Sequence, residues 1–197
     1  MKLTRAPTMP TTCITAERMV NGIQTIAVIG AGEQGREIAC AALRAGYRTV
    51  LEDVSDGRVA QAVAWIASVT ADAYSRLVLA STVEDAVREA DLIIEAVAEE
   101  MEMKIEMFTI FDKFAKPGAV FASSSPSLSI AELAAVTFCP ERCIGMRFVF
   151  GPRAENALEL VCAPQTSEET IARCREVGRQ MGKEVIVVAE REFTESR

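Results

Sequence analysis

The residues best suited to chemistry in this chain are three glycines and a carboxylate. Gly30-Ala31-Gly32-Glu33-Gln34-Gly35 makes a GxGxxG that ends an apolar, β-rich run, Thr25 to Gly30, and opens a stretch of helical composition. In that setting Gly30 permits a tight turn, Gly32 lets the backbone approach a pyrophosphate, and Gly35 allows the helix to pack on the strand. The helix start offers unpaired N–H groups and the positive end of its dipole to the phosphates. Gly30, Gly32, Glu33, Gln34 and Gly35 are therefore the expected cofactor contacts of the turn. Asp53 closes the next apolar run about 20 residues on, where a carboxylate accepts hydrogen bonds from the adenosine ribose hydroxyls. A carboxylate there opposes a 2′-phosphate, and no arginine directly follows it, so the pattern predicts NAD or NADH rather than NADP.

Residue types exclude other chemistries. The chain has no histidine, which removes Ser-His-Asp and Cys-His hydrolases. A Tyr-x-x-x-Lys pair is missing, since Tyr47 is followed by Leu51 and Tyr74 by Val78. The run Ser123 to Ser125 reads as a polar loop after a strand, with hydroxyls available to a cofactor or ligand. Six cysteines, at positions 13, 40, 139, 143, 162 and 174, show no CxxC pair and no second half for a metal set, so no metal site is expected. Reduced thiols of a cytoplasmic protein are the simplest reading.

The glycine turn and Asp53 need strands to carry them. Thr25 to Gly30, Arg48 to Asp53, Leu77 to Leu79, Leu92 to Ala96, Ala119 to Ala122, Cys143 to Phe148, Leu158 to Cys162 and Glu184 to Val188 read as strands, several of them nearly all apolar. Segments of helical composition alternate with them: Glu33 to Ala45, Gly57 to Val69, Val83 to Glu89, Glu100 to Ala115 and Ile130 to Ala135. A last helix opens at Thr166-Ser-Glu-Glu169, read as a capping box, and closes at Gly182. Met101, Ile105, Phe108 and Phe111 recur at helical intervals and are expected in the core. This alternation predicts an α/β fold, a Rossmann-type, doubly wound and mostly parallel sheet in a single domain over residues 23–197, after a loose leader over 1–22. The 197 residues are half hydrophobic, one quarter charged, and carry a net charge of −7. That balance leaves no basic surface for nucleic acid or anionic lipid, whereas a small anion needs only a local site.

Longer phrases carry a more specific signal: GAGEQGREIA, ADLIIEAVAEEMEMK, FASSSPSLSI, ERCIGMRF, and GKEVIVV followed by EFTESR. Through them the chain from about Ile23 to Arg197 resembles the NAD-binding domain of the 3-hydroxyacyl-CoA dehydrogenase family, which includes the 3-hydroxybutyryl-CoA dehydrogenases. The resemblance implies a small-molecule substrate, and that Ala96, Val97, Glu99 and Lys104 lie along the cofactor. A solvated, charged helix start is the plainer reading of Glu99 and Lys104. Ser124 stands where the family has an asparagine at the site.

The same resemblance implies an altered catalytic centre. The family removes the substrate hydroxyl proton with a histidine oriented by a glutamate. Its histidine falls on Arg147, whose guanidinium stays protonated and cannot act as that base. The glutamate is retained as Glu159, so Arg147 and Glu159 are expected within ion-pair distance. The family's substrate-binding serine falls on Pro126 and a further asparagine on Phe150. Between Asp53 and Leu77 the chain is shorter than the family, which removes part of its grip on coenzyme A. It ends at EFTESR, where the family leads into a helical domain. The cleft is then expected to lie open unless a second copy or another partner chain covers it. Two functions stay open: an NAD-dependent oxidoreductase of a hydroxy or keto substrate, with Arg147 fixing a carboxylate or polarising a carbonyl, and a catalytically silent NAD-binding module of a larger assembly.

Overall fold

A computed structural model of the chain describes residues 22–149 and 157–190. Nearly all of the expected leader, residues 1–21, lies outside the described residues, as does Phe150. In chain order the elements are β1 (Thr25–Ile29), α1 (Glu33–Arg44), β2 (Arg48–Glu52), α2 (Asp56–Val69), β3 (Leu77–Leu79), α3 (Val83–Val87) and β4 (Leu92–Glu95). There follow α4 (Met101–Phe114), β5 (Val120–Ser123), α5 (Ile130–Ala134), β6 (Cys143–Phe148), β7 (Ala157–Cys162), α6 (Glu168–Gln180) and β8 (Glu184–Ala189).

One sheet holds all eight strands in the order β3-β2-β1-β4-β5-β6-β7-β8. The pairs from β3 to β6 are parallel, β6 and β7 are antiparallel, and β7 and β8 are parallel again. The chain winds outward from β1 to β3, then crosses back to place β4 on the other side of β1. That reversal opens a crevice at the carboxyl ends of β1 and β4, where doubly wound sheets bind ligands.

Side chains alternate across the sheet, so neighbouring strand residues serve two cores. Val28, Leu51, Ile94 and Ala122 face α1, α2 and α6, where Ile38, Leu43, Ile66 and Val177 complete the layer. Ala27, Ile29, Val50 and Ile93 face α3, α4 and α5. The expected stripe on α4 is core: Phe108 and Phe111 are buried and meet with ring centroids 5.6 Å apart, while Met101 and Ile105 pack against the same cluster. All five residues of β1 are buried, as both faces of a parallel sheet are covered.

The helix starts show where local reading failed. Ser167, not Thr166, caps α6, its Oγ accepting from the Thr170 backbone N–H at 3.2 Å. Thr166 instead donates its hydroxyl to the Cys143 carbonyl at 2.7 Å, tying the helix entry to β6, so no Thr166–Glu169 capping box forms. A 3-10 turn over Ala71–Arg76, unmarked in the sequence pattern, joins α2 to β3. Among the described residues all five cysteines are free thiols, and burial pushes Cys143 up to about 12 and Cys139 up to about 11, which keeps them unreactive. No described helix is long and apolar enough to cross a membrane.

Candidate functional site

The turn after β1 is built by close approach. Gly30 has φ +108°, and its N–H donates to the Glu52 carbonyl at 2.8 Å; a Cβ added there would lie 2.5 Å from the Ala96 carbonyl oxygen. A Cβ on Gly35 would collide with the Gly30 carbonyl oxygen, so α1 sits directly beneath the turn. Gly32 occupies the N-cap of α1, where no side chain caps the helix and a Cβ would meet nothing within 4 Å. This leaves the first N–H groups of α1 facing open space, a fitting cradle for a pyrophosphate.

A cleft of about 400 Å³ runs from this turn past the end of β2 to Ala96, Val97 and Ala98, with Met103 and Met107 of α4 as an apolar wall. Asp53 lies at its edge but is already engaged. Its Oδ2 accepts from the Ala31 N–H at 2.9 Å and its Oδ1 from the Ser55 N–H at 2.8 Å, tying the glycine turn to the start of α2. No arginine directly follows Asp53, yet the first turn of α2 brings Arg58 Nη1 to 3.6 Å from Oδ2. Gln34 turns toward the end of β5: Ser124 Oγ donates to Gln34 Oε1 at 3.2 Å, and Gln34 Nε2 donates to the Ser124 carbonyl at 3.4 Å. Glu33 remains exposed, 3.9 Å from Arg36.

Behind the cleft lies a polar network that local reading largely missed. Lys104 is 1% exposed, which overturns the reading of a solvated helix start for that residue, whereas the Glu99 side chain keeps 37% of its surface exposed. Its ammonium reaches Glu95 Oε1 at 2.7 Å, Glu99 Oε2 at 3.4 Å and the Val97 carbonyl at 3.3 Å, partners for all three of its protons. Glu95, fully buried at the end of β4, also accepts from the Val97 N–H at 2.7 Å and from Ser123 Oγ at 2.8 Å. Ser125 and Ser127 donate to Glu99 Oε1 at 2.5 and 2.9 Å. Burial raises the Glu99 carboxyl, but these hydroxyls and Lys104 outweigh it and hold the group below the usual carboxylate range. The serine run leaves β5 as the expected polar loop, but a buried one. Ser123 ends β5, and Ser123, Ser124 and Ser125 are all buried. The one sequence signal for Glu95 was a charge closing the apolar run LIIE.

A second cleft, about 320 Å³, lies on the α5 side of β6, β7 and β8, lined by Pro126, Ser127, Arg147, Glu159 and Glu190 among others. Arg147 and Glu159 are register partners across the antiparallel pair, a placement that brings side chains close. The expected ion pair does not form: among the described residues Arg147 makes no salt bridge with Glu159, although the two stand opposite each other in register. The reason is a competing acceptor, since Arg147 Nε donates to the Ser125 carbonyl at 3.0 Å. Glu190 is occupied elsewhere, accepting from the Ile130 and Ala131 N–H groups at 2.6 and 2.9 Å.

This geometry has close counterparts. Residues 25–191 match the family model described as 3-hydroxyacyl-CoA dehydrogenase, NAD binding domain. The chain is 33% identical over 180 residues to a probable 3-hydroxybutyryl-CoA dehydrogenase of Bacillus subtilis, covering 84% of this chain and 62% of the relative. It is 29% identical to the 5-formyl-3-hydroxy-2-methylpyridine 4-carboxylate 5-dehydrogenase of Mesorhizobium japonicum, covering 84% of this chain and 57% of the relative. The crystal structure of (S)-3-hydroxybutyryl-CoA dehydrogenase from Ralstonia eutropha superposes with a TM-score of 0.81 at 31% identity, over 86% of this chain and 64% of that one. The chain spans about three fifths of the length of the curated relatives it matches. With the family model covering nearly every described residue and a solved relative superposing closely, the chain belongs to the 3-hydroxyacyl-CoA dehydrogenase family as an NAD-binding domain.

Proposed function

We propose that this chain is the dinucleotide-binding part of an NAD-dependent oxidoreductase that acts on a small hydroxy or keto substrate bearing a carboxylate, with Arg147 as its anchor. The observation that carries this reading is Arg147 itself. It lines the second cleft beside Glu159, and the single hydrogen bond it makes to described residues uses Nε. Its terminal guanidinium nitrogens are left to hold a carboxylate in bidentate fashion or to polarise a carbonyl. NAD supplies the hydride acceptor when bound. Gly32 and the start of α1 hold the pyrophosphate, Asp53 the ribose side, and Ala96 and Val97 line the cleft beside them, while Ser124 supports the turn from behind through Gln34. Glu99 and Lys104 act behind the cofactor path, as a pair that holds the loop after β4. The Mesorhizobium relative is named for a pyridine carboxylate rather than a CoA ester, which supports a carboxylate substrate within this family. Pro126 offers no hydroxyl to an acyl-CoA. The protein works in the cytoplasm, with a second copy or another chain over the second cleft.

The test is calorimetric titration with NADH and NADPH, followed by an absorbance screen of 2- and 3-hydroxy acids, keto acids and 3-hydroxybutyryl-CoA. The expected result is tighter binding of NADH, turnover of a carboxylate substrate that Arg147→Ala abolishes, and negligible oxidation of the CoA ester. Rapid oxidation of 3-hydroxybutyryl-CoA overturns the reading. A second reading, a silent NAD-binding module, is favoured by one fact, the absence of any histidine to serve as base. NADH binding without turnover of any substrate in the panel selects it.

A further inference from the structure

The cofactor cleft contains a carboxyl group that none of the contacts above explains. Glu52 ends β2 at 5% exposure and lines the cleft together with Val83, Met103 and Met107. Its backbone carbonyl receives the Gly30 N–H, but among the described residues nothing hydrogen-bonds to its carboxyl. A buried, unpartnered polar group facing a cleft is costly unless a ligand completes it.

The position of Glu52 indicates which part of a dinucleotide it meets. The pyrophosphate cradle at Gly32 and the ribose-side carboxylate Asp53 fix the path of the cofactor. Beyond Asp53, the cleft is bounded by Val54, Val83 and the two methionines of α4, apolar walls of the kind that take a flat base. Glu52 is the carboxyl set among them. The charged groups around it are mostly of its own sign. Asp53 adjoins it, Glu84 stands in the first turn of α3, and Glu33 opens α1 at the cleft mouth. On α2, Arg58 lies 3.6 Å from Asp53. On α4, Lys104 is held by Glu95 and Glu99. Burial first, then the charges of Asp53 and Glu84, push the Glu52 carboxyl up to about 7.

We propose that Glu52 is an adenine-reading residue: in its protonated form it accepts a hydrogen bond from the exocyclic amine of the bound cofactor and donates one to ring nitrogen N1 beside it. A carboxylic acid presents a donor and an acceptor on one plane, matching that edge of the base. A carboxylate presents acceptors only and sets one of them against the N1 lone pair. Cofactor binding therefore takes up a proton above neutral pH. The inference rests on the dinucleotide reading of the cleft and adds a base-specific, pH-sensitive contact to it.

The experiment is calorimetric titration of the full chain with NADH from pH 6.5 to 8.5, repeated with Glu52→Gln and with nicotinamide 1,N6-ethenoadenine dinucleotide, whose N1 and amine are blocked. NADH affinity is expected to fall on the order of tenfold across that range as the binding-competent fraction shrinks. Proton uptake should appear as a dependence of the heat on buffer ionisation enthalpy. Glu52→Gln, whose amide donates and accepts at any pH, should bind NADH with a flat profile. The etheno analogue should bind more weakly, with little pH dependence. A flat wild-type profile, an unchanged slope in Glu52→Gln, or an equal slope for the etheno analogue overturns the proposal. The last of these would reduce Glu52 to a general repulsive charge. Failure of NADH to bind at every pH, in chain whose circular dichroism shows it folded, overturns the dinucleotide reading beneath it.

Discussion

Ile29 lies between two glutamates at the same height in the sheet, Glu52 on β2 and Glu95 on β4. Register partners on parallel strands share a face, so both carboxyls project toward α3 and α4. Both are buried. Glu95 is met by an ammonium, a serine hydroxyl and a backbone N–H within 2.8 Å. Glu52 meets no donor among the described residues, and the charges that act on it most are the carboxylates of Asp53 and Glu84. Glu95 is a structural group, whose charge is neutralised inside the protein. Glu52 belongs to the cleft, and its unmet hydrogen-bonding capacity is a site for something not part of the chain.

The largest expected effect breaks the balanced side of this comparison. Lys104→Met should cost about 3–5 kcal/mol, because it strands a fully buried carboxylate. Adding Glu95→Gln should recover much of that loss. Chemical denaturation of the single and double variants measures it, and equal stability of the two would show that Glu95 does not depend on Lys104 in the fold.

Gly30 holds the strand ends that carry both glutamates. Gly30→Ala places a Cβ against the Ala96 carbonyl and should cost about 1–3 kcal/mol through forced backbone movement. It should also weaken NADH binding, since the turn and the Ala96 segment must part. Thermal unfolding and a fluorescence titration follow the two effects, and unchanged NADH affinity would argue that the turn is not the cradle.

The unpaired side has its own pH signature. Glu52 titrates near 7 in the fold and at an ordinary carboxylate value when unfolded, so the native state holds the extra proton between those values. Its contribution is full below the unfolded value and lost as pH rises through about 7. Glu99, held low, has the opposite sign: its contribution is present above the ordinary carboxylate range and lost on acidification. The wild-type melting temperature should therefore decline from pH 5 to pH 8, and the decline should shrink in Glu52→Gln. A decline of equal size in that variant would place the titrating group elsewhere.

The smallest effect concerns the second cleft. Because Arg147 and Glu159 are register partners without an ion pair, a double-mutant cycle of Arg147→Ala and Glu159→Gln should give a coupling below about 1 kcal/mol. A coupling several times larger would show that the two close on each other in solution.

The sequence by itself determined the strands, the order of helices between them and the glycine turn. These depend on local patterns: apolar runs of strand length, 3.6-residue periodicity on α4, and glycines at the spacing a strand-turn-helix requires. The family resemblance, not any local pattern, brought Arg147 and Glu159 together; they are register partners, but the ion pair it implied does not form. The tertiary structure decided which polar groups satisfy one another. Glu95 and Lys104 are nine residues apart, on a strand and the following helix. Ser123 reaches Glu95 from 28 residues away, and Arg147 turns to a carbonyl 22 residues upstream. Each of those outcomes is a competition among donors and acceptors brought together by the sheet crossover. No local pattern encodes the winner, because an arginine selects its partner by distance and desolvation after folding, not by spacing along the chain.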